Sequence, residues 1–494
     1  MTRPDLGQLD TTGRLRRLFG DSAIYGIAGA INKLIALVTF PLLARQLSVG
    51  EYGTVDAFMI ATNWLALVII WGVDSAVARL LLDHPEDHER AQIFSQCLVW
   101  LALATLVIAP AVWLAAEPLS RQLGQESSAR SILPLVCLQL PFLSVFSVSQ
   151  SALRWTFQRR RYLTLSLGSA GVTAGLLVTT SLVTALQPRH VFMIALIVQV
   201  LFAGLALAFM RRWLVLPRSL AHWRHIAPIA LPLGLIAVAA AFLPLLERAI
   251  VDGTPGLAEG QALGLYAAGA KVAGLLALPI LAFQSGWGPF VIALSREREA
   301  ARTLNAALLV YTWIIGIAVL ALSTAGPWIV RLLASERYAQ SSQVIFPLAM
   351  AMAVQGAGWI LEAGINIAKR THMSLVAYAA MLALFAPLAL LLRATWGVTG
   401  VAFALLAGQA AFAALSAVLA QRAHRLDWRA GPAAALLAIT AATGIAQCAM
   451  GSWFGDRASL AIGVAGVSAL LGLASWPGPV RRSLGMLLRP PTAR

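Results

Sequence analysis

The sequence predicts an all-α, polytopic membrane protein with about 14 transmembrane helices. Of its 494 residues, 59% are hydrophobic and only 12% are charged, a composition that excludes a soluble globular protein. Fourteen apolar stretches lie between residues 21 and 476. Because about 20 residues are needed to cross the hydrocarbon core, little chain remains for anything but short connections.

Positive charge alternates along the chain. The gaps and tails around the apolar stretches hold 35 of the 37 Lys and Arg residues. Of these, 26 fall in the N-terminal tail and every second gap after it, and 9 fall in the remaining gaps. The positive-inside rule then places both termini in the cytoplasm. The net charge of +16 is assigned to loops that face anionic lipid head groups, so membrane lipids, and not nucleic acid, are the expected partners.

The apolar stretches divide the chain into consecutive units. The predicted spans are 21–43, 53–81, 92–116, 131–153, 163–186, 191–210, 226–246, 262–294, 303–330, 341–367, 373–392, 397–420, 431–451 and 458–476. The predicted units are a basic cytoplasmic segment (1–20), an N-lobe of six spans (21–210), a cytoplasmic connector (211–225), a C-lobe of six spans (226–420), two additional spans (421–476) and a cytoplasmic tail (477–494). The basic segments 11–20, 211–225 and 479–489 have the composition of helices that lie along the membrane surface.

A repeated phrase relates the two halves. The first span ends in Pro41-Leu42-Leu43-Ala44-Arg45 and the seventh in Pro244-Leu245-Leu246-Glu247-Arg248. A Gly/Tyr pair then opens each following span, Tyr52-Gly53 in one half and Gly264-Leu265-Tyr266 in the other. Matching order and membrane side predict two pseudo-symmetric six-helix lobes, related by an axis along the membrane normal, plus two C-terminal helices.

Two lysines are the charges that topology does not explain. Lys33 and Lys271 lie inside predicted spans, although the chain has only three lysines. A cation inside the membrane is costly, which makes each a candidate for a functional site. We expect both to line a cavity; the alternative is that the side chains extend to the membrane surface.

Other ionisable residues join the candidate site. The carboxylates Asp56, Asp74 and Glu362 are candidates for H⁺ or Na⁺ coupling or for structural counter-charges, and Asp74 lies at a depth within reach of Lys33. The arginines assigned to a cationic cavity with the lysines are Arg45, Arg79 and Arg248. The alternatives are rim salt bridges to Glu51 and Glu247 for Arg45 and Arg248, and a cytoplasmic anchor for Arg79.

The sequence offers no sign of catalysis. It contains no G-x-x-x-x-G-K-[ST] loop, no H-E-x-x-H and no nucleophile elbow. Its three cysteines lie in apolar stretches and its seven histidines show no ligand spacing, so we expect no metal, no cofactor and no enzyme. A cavity rich in cations suits an anion, and in apolar surroundings a phosphate or diphosphate carrying a lipid tail.

These residues resemble the signature of a known family. The phrases are Ala23-Ile24-Tyr25-Gly26, Pro41-Leu42-Leu43-Ala44-Arg45, Gly50-Glu51-Tyr52-Gly53, Gly72-Val73-Asp74 with Arg79, Glu247-Arg248, Leu263-Gly264-Leu265-Tyr266, Trp287-Gly288-Pro289-Phe290, Arg337-Tyr338-Ala339, Trp396-Gly397-Val398-Thr399-Gly400-Val401-Ala402 and His424-Arg425-Leu426-Asp427-Trp428. In this order they resemble the O-antigen and exopolysaccharide flippases of the MOP exporter superfamily.

The resemblance implies a mechanism. Members of this family hold two six-helix lobes around a central cationic cavity and move undecaprenyl-diphosphate-linked oligosaccharide from the cytoplasmic to the periplasmic leaflet of the bacterial inner membrane by alternating access. It assigns the cavity to Lys33, Arg248 and Lys271 and coupling to Asp74. The implied partners are the lipid-linked substrate, a polysaccharide polymerase and glycosyltransferases. A lipid II or multidrug exporter of the same superfamily, and a polytopic glycan polymerase or ligase, remain as alternatives.

Overall fold

The chain folds into long helices throughout the part that the structure describes. This computed structural model describes residues 11–83, 86–122, 126–217, 222–258, 260–281, 283–284, 287, 300–368, 370, 372–426, 429–454, 456–475 and 478–488. Within these ranges there is no β-strand. Several predicted features lie outside the described residues. They are residues 1–10 of the predicted basic segment 1–20, the part of the eighth predicted span beyond residue 287, and the motif residues Gly288, Pro289, Phe290, Asp427 and Trp428.

The helices follow the predicted spans in order. They are α1 (Thr11–Gln46), α2 (Val49–Ile70), α3 (Val73–Asp83), α4 (Asp87–Gln122), α5 (Glu126–Trp155), α6 (Arg159–Val183), α7 (Pro188–Phe209), α8 (Trp223–Asp252), α9 (Gln261–Ala273), α10 (Ala300–Leu333), α11 (Ser342–Leu361), α12 (Ala363–Ile367), α13 (His372–Ala423), α14 (Gly431–Phe454), α15 (Asp456–Ser475) and α16 (Pro479–Leu488). Short 3₁₀ turns lie at Arg211–Trp213, Gly274–Leu276 and Glu336–Ser341.

These helices have the dimensions of membrane spans. Eleven of the described helical segments are long and apolar enough to cross a membrane. Helix α13, at 52 residues, accounts for two predicted spans, because Gly397 adopts a φ of 58° and a ψ of −137° inside it. Such a backbone conformation favours glycine and folds the chain back on itself at the position where the sequence predicts a loop. The chain is therefore a multi-pass, all-α membrane protein.

Two predicted spans are broken, which the sequence analysis does not anticipate. The second predicted span, 53–81, is interrupted at Trp71 and Gly72, whose φ angles are 44° and 72°. A Cβ at Gly72 would lie 2.6 Å from the carbonyl oxygen of Ala230 and would also contact Gly234, so the break allows α3 to lie directly against α8. The tenth predicted span, 341–367, is interrupted at Glu362, which separates α11 from α12.

Buried apolar side chains form two large clusters. One is dominated by residues 40–230 and the other by residues 243–480. The first cluster also includes Ala267, Val272 and Tyr338 from the second half, so the lobes meet there. We call the end of the bundle where α1 ends and α2 begins the upper end, and the end where α8 begins the lower end.

The start of the predicted connector, segment 211–225, packs against α4. Trp213 is buried against Phe94, with ring centroids 6.1 Å apart, and Ser95 Oγ donates to the Trp213 carbonyl at 2.9 Å. The same hydroxyl accepts from the amide of Val215 at 3.0 Å. The start of the 211–225 segment is therefore held on α4 by the Trp213 ring and by two hydrogen bonds to the Ser95 hydroxyl. Of the other two segments, residues 11–20 continue into α1, and α16 is a separate amphipathic helix.

Candidate functional site

Charged residues from both lobes meet in the upper half of the bundle. Arg248 of α8 donates from Nε and Nη2 to Asp56 Oδ2 of α2, at 3.1 and 3.0 Å. Lys271 Nζ of α9 lies 3.7 Å from Asp56 Oδ1. The Asp56 side chain is 7% exposed and that of Arg248 is 11% exposed. The structure therefore joins three of the predicted site residues in one group, in which Asp56 and Arg248 are largely buried and Lys271 is half-exposed.

Two further residues fix the position of Arg248. Its Nη1 donates to Glu247 Oε2 at 3.2 Å, and the guanidinium carbon lies 5.0 Å from the ring centroid of Tyr266. The Tyr266 hydroxyl donates to the same Glu247 oxygen at 2.9 Å. We call Asp56, Glu247, Arg248, Tyr266 and Lys271 the seam cluster. It satisfies its two carboxylates and two cations internally, as a buried ionic group requires.

Glu247 and Tyr266 are more central to the site than the sequence predicts. The sequence predicts Glu247 only as a rim partner of Arg248, and it shows Tyr266 only as part of the repeated phrase. The contact with Arg248 is observed, but Glu247 is buried and does not lie at an exposed rim. Tyr266 lies one helix away from Glu247, so no helical spacing connects the two. In the repeated phrase, Tyr266 of the second half corresponds to Tyr52 of the first half. This correspondence is the signal in the sequence that identifies Tyr266 as a candidate.

Close glycine packing sets the position of the cluster. A Cβ at Gly53 would collide with the backbone of Gly264 and Gly260, and a Cβ at Gly264 would collide with the Val49 carbonyl. The repeated glycines therefore allow α2 and α9 to cross in backbone contact. Ser48 and Glu51 cap α2 reciprocally, with Glu51 Oε2 2.9 Å from the Ser48 amide, which fixes the start of the helix. Asp56 follows Gly53 by about one turn and so lies just below the crossing.

Lys33 lies apart from the seam cluster but at a comparable depth. It precedes the upper end of α1 by about 20 Å, and Lys271 lies about 15 Å below the start of α9, at 1.5 Å per residue. Lys33 is exposed and, within the described residues, makes no ion pair. It shares a helix face with Phe40, two turns above, whose ring packs on Tyr52 with centroids 5.6 Å apart. Lys33 therefore lies on the side of α1 that faces the seam.

Above the cluster, the two lobes are joined at the upper rim. Arg45 Nη2 donates to the Leu332 carbonyl at 2.6 Å, and Arg337 Nη2 donates to the Arg45 carbonyl at 3.0 Å. The rings of Tyr52 and Tyr338 meet edge to face with centroids 6.0 Å apart. Arg45 thus binds a backbone carbonyl of the other lobe. Glu51, the alternative partner of Arg45 in the sequence analysis, accepts a hydrogen bond from the Ser48 amide and caps α2.

The remaining candidates are dispersed. Asp74 lies in the first turn of α3, and the structure shows no ion pair between it and Lys33, because the break at Gly72 redirects the helix that carries it. Arg79 is exposed further along α3. Glu362 is buried inside the C-lobe near the lower end, where Ser416 Oγ donates to its Oε1 at 3.4 Å. These three residues do not contact the seam cluster.

The described residues contain no group of three or more His, Cys, Asp or Glu side chains that could hold a metal ion. Cys97, Cys137 and Cys448 are free thiols. What the seam cluster offers chemically is two cations, Arg248 and Lys271, that converge on one carboxylate.

The glycine crossing makes a testable prediction. Substitution of Gly264 by alanine places a methyl group against the Val49 carbonyl, and we expect the free energy of unfolding to fall by roughly 1–3 kcal/mol, as in overpacked cores. The measurement is the melting temperature of the purified protein. Gly274→Ala is the matched control on the same span, since a Cβ there meets nothing within 4 Å. Equal melting temperatures for the two variants would contradict the close crossing.

Comparisons with known proteins agree with this architecture. Residues 19–289, more than half of the chain, match the family model described as "Polysaccharide biosynthesis protein". No curated protein matches the chain significantly. Among solved structures, the chain is similar to "Lipid II flippase MurJ, inward closed conformation", with a TM-score of 0.70 at 14% identity over 91% of this chain and 98% of that chain.

Two multidrug transporters give similar results. The "Inward-facing conformation of a multidrug resistance MATE family transporter of the MOP superfamily" has a TM-score of 0.66 at 15% identity, over 82% of this chain and 95% of that chain. Its counterpart titled "Outward-facing conformation" has a TM-score of 0.54 at 15% identity, over 84% and 94%. At such identities these likenesses show a shared fold alone. By its family match and its fold, the chain belongs to the polysaccharide biosynthesis protein family, as the resemblance to polysaccharide flippases predicts.

Proposed function

We propose that this protein is a secondary transporter that moves undecaprenyl-diphosphate-linked oligosaccharide units between membrane leaflets by alternating access. The observation that carries the proposal is the arrangement of Lys33, Lys271 and Arg248. Arg248 and Lys271 converge on Asp56 at the seam between the predicted lobes, and Lys33 lies on the face of α1 directed at the seam, about 5 Å deeper than Lys271 by helix rise. Intramembrane cations are costly and are kept where they bind something.

A diphosphate matches this arrangement chemically. An arginine fork binds phosphate oxygens through two parallel hydrogen bonds, and lysine adds a compact positive charge. The lipid tail would remain in the bilayer while the diphosphate and sugars lie between the lobes. Rocking of the lobes about the site would expose the sugars to one side of the membrane and then to the other.

The proposal includes a direction and a location. The lower end, which carries most of the positive loops, would face the cytoplasm of a bacterial cell, and the upper end would face the periplasm. Transport toward the upper end would supply repeat units for O-antigen, exopolysaccharide or capsule synthesis. Glycosyltransferases would then act before the transporter, and a polysaccharide polymerase after it.

The experiment is complementation in cells that lack their own polysaccharide flippase. Such cells retain lipid-linked repeat units on the cytoplasmic side. Expression of this chain is expected to restore surface polysaccharide. Failure to restore it in several hosts with different glycans, at normal membrane levels of the protein, would contradict the proposed cargo.

Lipid II is the second candidate cargo, because its carrier presents the same diphosphate to the same cations. The fold likeness to a lipid II flippase supports testing it. Rescue of cells depleted of their lipid II flippase, without restoration of surface polysaccharide, would favour lipid II.

Cationic drugs are a poorer match, since Lys33 and Lys271 repel them. A polymerase or ligase would show no leaflet transfer in liposomes that lack a sugar acceptor.

Glu362 is the proposed site of ion coupling. Its carboxylate is buried, accepts a hydrogen bond from Ser416 and, within the described residues, has no cationic partner. A buried carboxylate without a cationic partner must either carry a proton or bind a cation. We expect Glu362→Gln to remove the dependence of transport on a proton or sodium gradient. The measurement is the uptake rate in liposomes with and without an imposed gradient.

The control is Glu336→Gln, which neutralises a carboxylate that is 74% exposed and is paired with Arg331 at 3.3 Å. This variant is expected to keep the gradient dependence. If Glu362→Gln keeps it as well, the coupling ion binds elsewhere, and Asp74 becomes the next carboxylate to test.

A further inference from the structure

Asp56 links the two lobes by charge. Within the described residues, it is the N-lobe member of the seam cluster, and the other four members come from α8 and α9 of the C-lobe. Without Asp56, the Glu247 contacts to Arg248 and Tyr266 still hold the arginine in place. The cluster has two cations and two carboxylates, so removal of Asp56 would leave one net positive charge.

The place occupied by the Asp56 carboxylate has the geometry of an anion subsite. Two N–H groups of Arg248 point at one oxygen, and Lys271 faces the other. Phosphate oxygens are bound by the same groups in the same way. The Lys271 side chain is 48% exposed, whereas Arg248 and Asp56 are nearly buried. An incoming anion therefore reaches Lys271 first and gains Arg248 only by displacing Asp56.

The contact lies where its loss would open the seam. Asp56 is about one turn below the Gly53 crossing, and Tyr52 above it packs on Tyr338 of the other lobe. In this closed arrangement the hydroxyls of Tyr52, Tyr338 and Ser341 are buried and have no hydrogen-bond partner among the described residues. Each such group is costly when it is kept from water. Closure of the upper end thus depends on its attractive contacts, which are the hydrogen bonds of Arg45 and Arg337 to backbone carbonyls and the ion pairs of Asp56.

We infer that Asp56 is an exchangeable counter-ion: it occupies the diphosphate position on Arg248 and Lys271 while the upper end is closed, and the arriving diphosphate displaces it and releases the closure. The inference rests on the proposed function and adds the step that couples binding to opening. It also explains why Arg248 is held by Glu247 and Tyr266, since the arginine must keep its orientation while its partner changes.

The test measures opening of the upper end by thiol labelling. Cys97, Cys137 and Cys448 are replaced by alanine, and Thr54, which is buried beside Gly260, is replaced by cysteine. A membrane-impermeant maleimide is applied from the periplasmic side. We expect Asp56→Asn to accelerate labelling by roughly tenfold or more, the equivalent of a lost charge-assisted hydrogen bond. Glu336→Gln, an exposed exterior carboxylate outside the cluster, is expected to leave the rate unchanged.

Unchanged labelling in Asp56→Asn, with protein of normal amount and gel-filtration profile, overturns the inference. If Asp56→Asn accumulates poorly, Lys271→Gln decides instead, because it removes only the contact to Asp56 Oδ1. Faster labelling in that variant supports the inference, and unchanged labelling overturns it.

The ligand step uses undecaprenyl diphosphate as the probe and undecaprenyl monophosphate as its control. The diphosphate is expected to accelerate labelling of the parent protein and to have little further effect on Asp56→Asn. If the diphosphate does not accelerate labelling of the parent protein, the proposed exchange is overturned. Leaflet transfer is a separate readout. If the parent protein transfers lipid but Asp56→Asn does not change the labelling rate, the counter-ion role is refuted and the proposed function stands. If labelling responds to the diphosphate but no lipid is transferred, the proposed function is refuted.

Discussion

Replacement of both Lys33 and Lys271 by alanine is expected to abolish transport while the protein still inserts into the membrane. Each lysine offers a charge-assisted contact to the diphosphate, and each lost contact is worth about tenfold to a hundredfold in binding. Neither ammonium group is fully buried, so its removal leaves no large cavity. The measurements are surface polysaccharide in complemented cells and the amount of protein in the membrane fraction.

The lysine prediction has two controls. Lys33→Arg keeps the charge and should retain part of the activity, and Lys369→Ala removes the third lysine, which lies in a predicted loop outside the described residues. Normal surface polysaccharide with the double alanine variant would show that the lysines are structural or extend to the membrane surface.

Arg248→Ala is expected to be the most destabilising single substitution in the cluster. It would leave Asp56 and Glu247 buried with one fewer cation, and loss of one partner from a buried ionic group costs about 3–5 kcal/mol. The melting temperature of the purified protein should therefore fall well below that of Lys271→Ala, whose side chain is half-exposed.

A second substitution separates folding from function at this position. Addition of Asp56→Asn to Arg248→Ala leaves one carboxylate, Glu247, with one remaining cation, Lys271, and should recover part of the lost stability, but transport should stay absent because the phosphate-binding fork is missing. Equal stability for Arg248→Ala and the parent protein would contradict the buried network. Recovery of transport in the double variant would contradict a role for Arg248 in binding.

The sequence predicts the fold in most respects because the underlying signals are local and strong. Apolar length and charge alternation determine the order of the spans, and the predicted gap between the eleventh and twelfth spans, 393–396, lies directly before the break at Gly397. The breaks at Gly72 and Glu362 are not predicted, since they depend on which helix lies opposite. Gly72 is explained by the backbone of α8 against it, and nothing in the surrounding apolar sequence shows that contact.

The candidate site is predicted only in part, because contacts between helices are not visible in the sequence. The cost of charge inside the membrane selects Asp56 and Lys271, whereas the repeated phrase and the family resemblance select Arg248, and the structure brings these three residues together. The same criterion selects Asp74, which does not pair with Lys33, because depth along a helix does not specify the face. Tyr266 carries no charge and so escapes the criterion, although it packs directly on Arg248.

The most direct test of the proposed mechanism is leaflet transfer in liposomes that contain only the purified protein and a diphosphate-linked oligosaccharide lipid. The proposal predicts transfer by the parent protein without ATP or a sugar acceptor, and transfer at the protein-free rate by the variant that lacks Lys33 and Lys271. Equal transfer by the parent protein and this variant would contradict the cationic site. Absence of transfer by the parent protein, with this lipid and with lipid II, would contradict the proposed function.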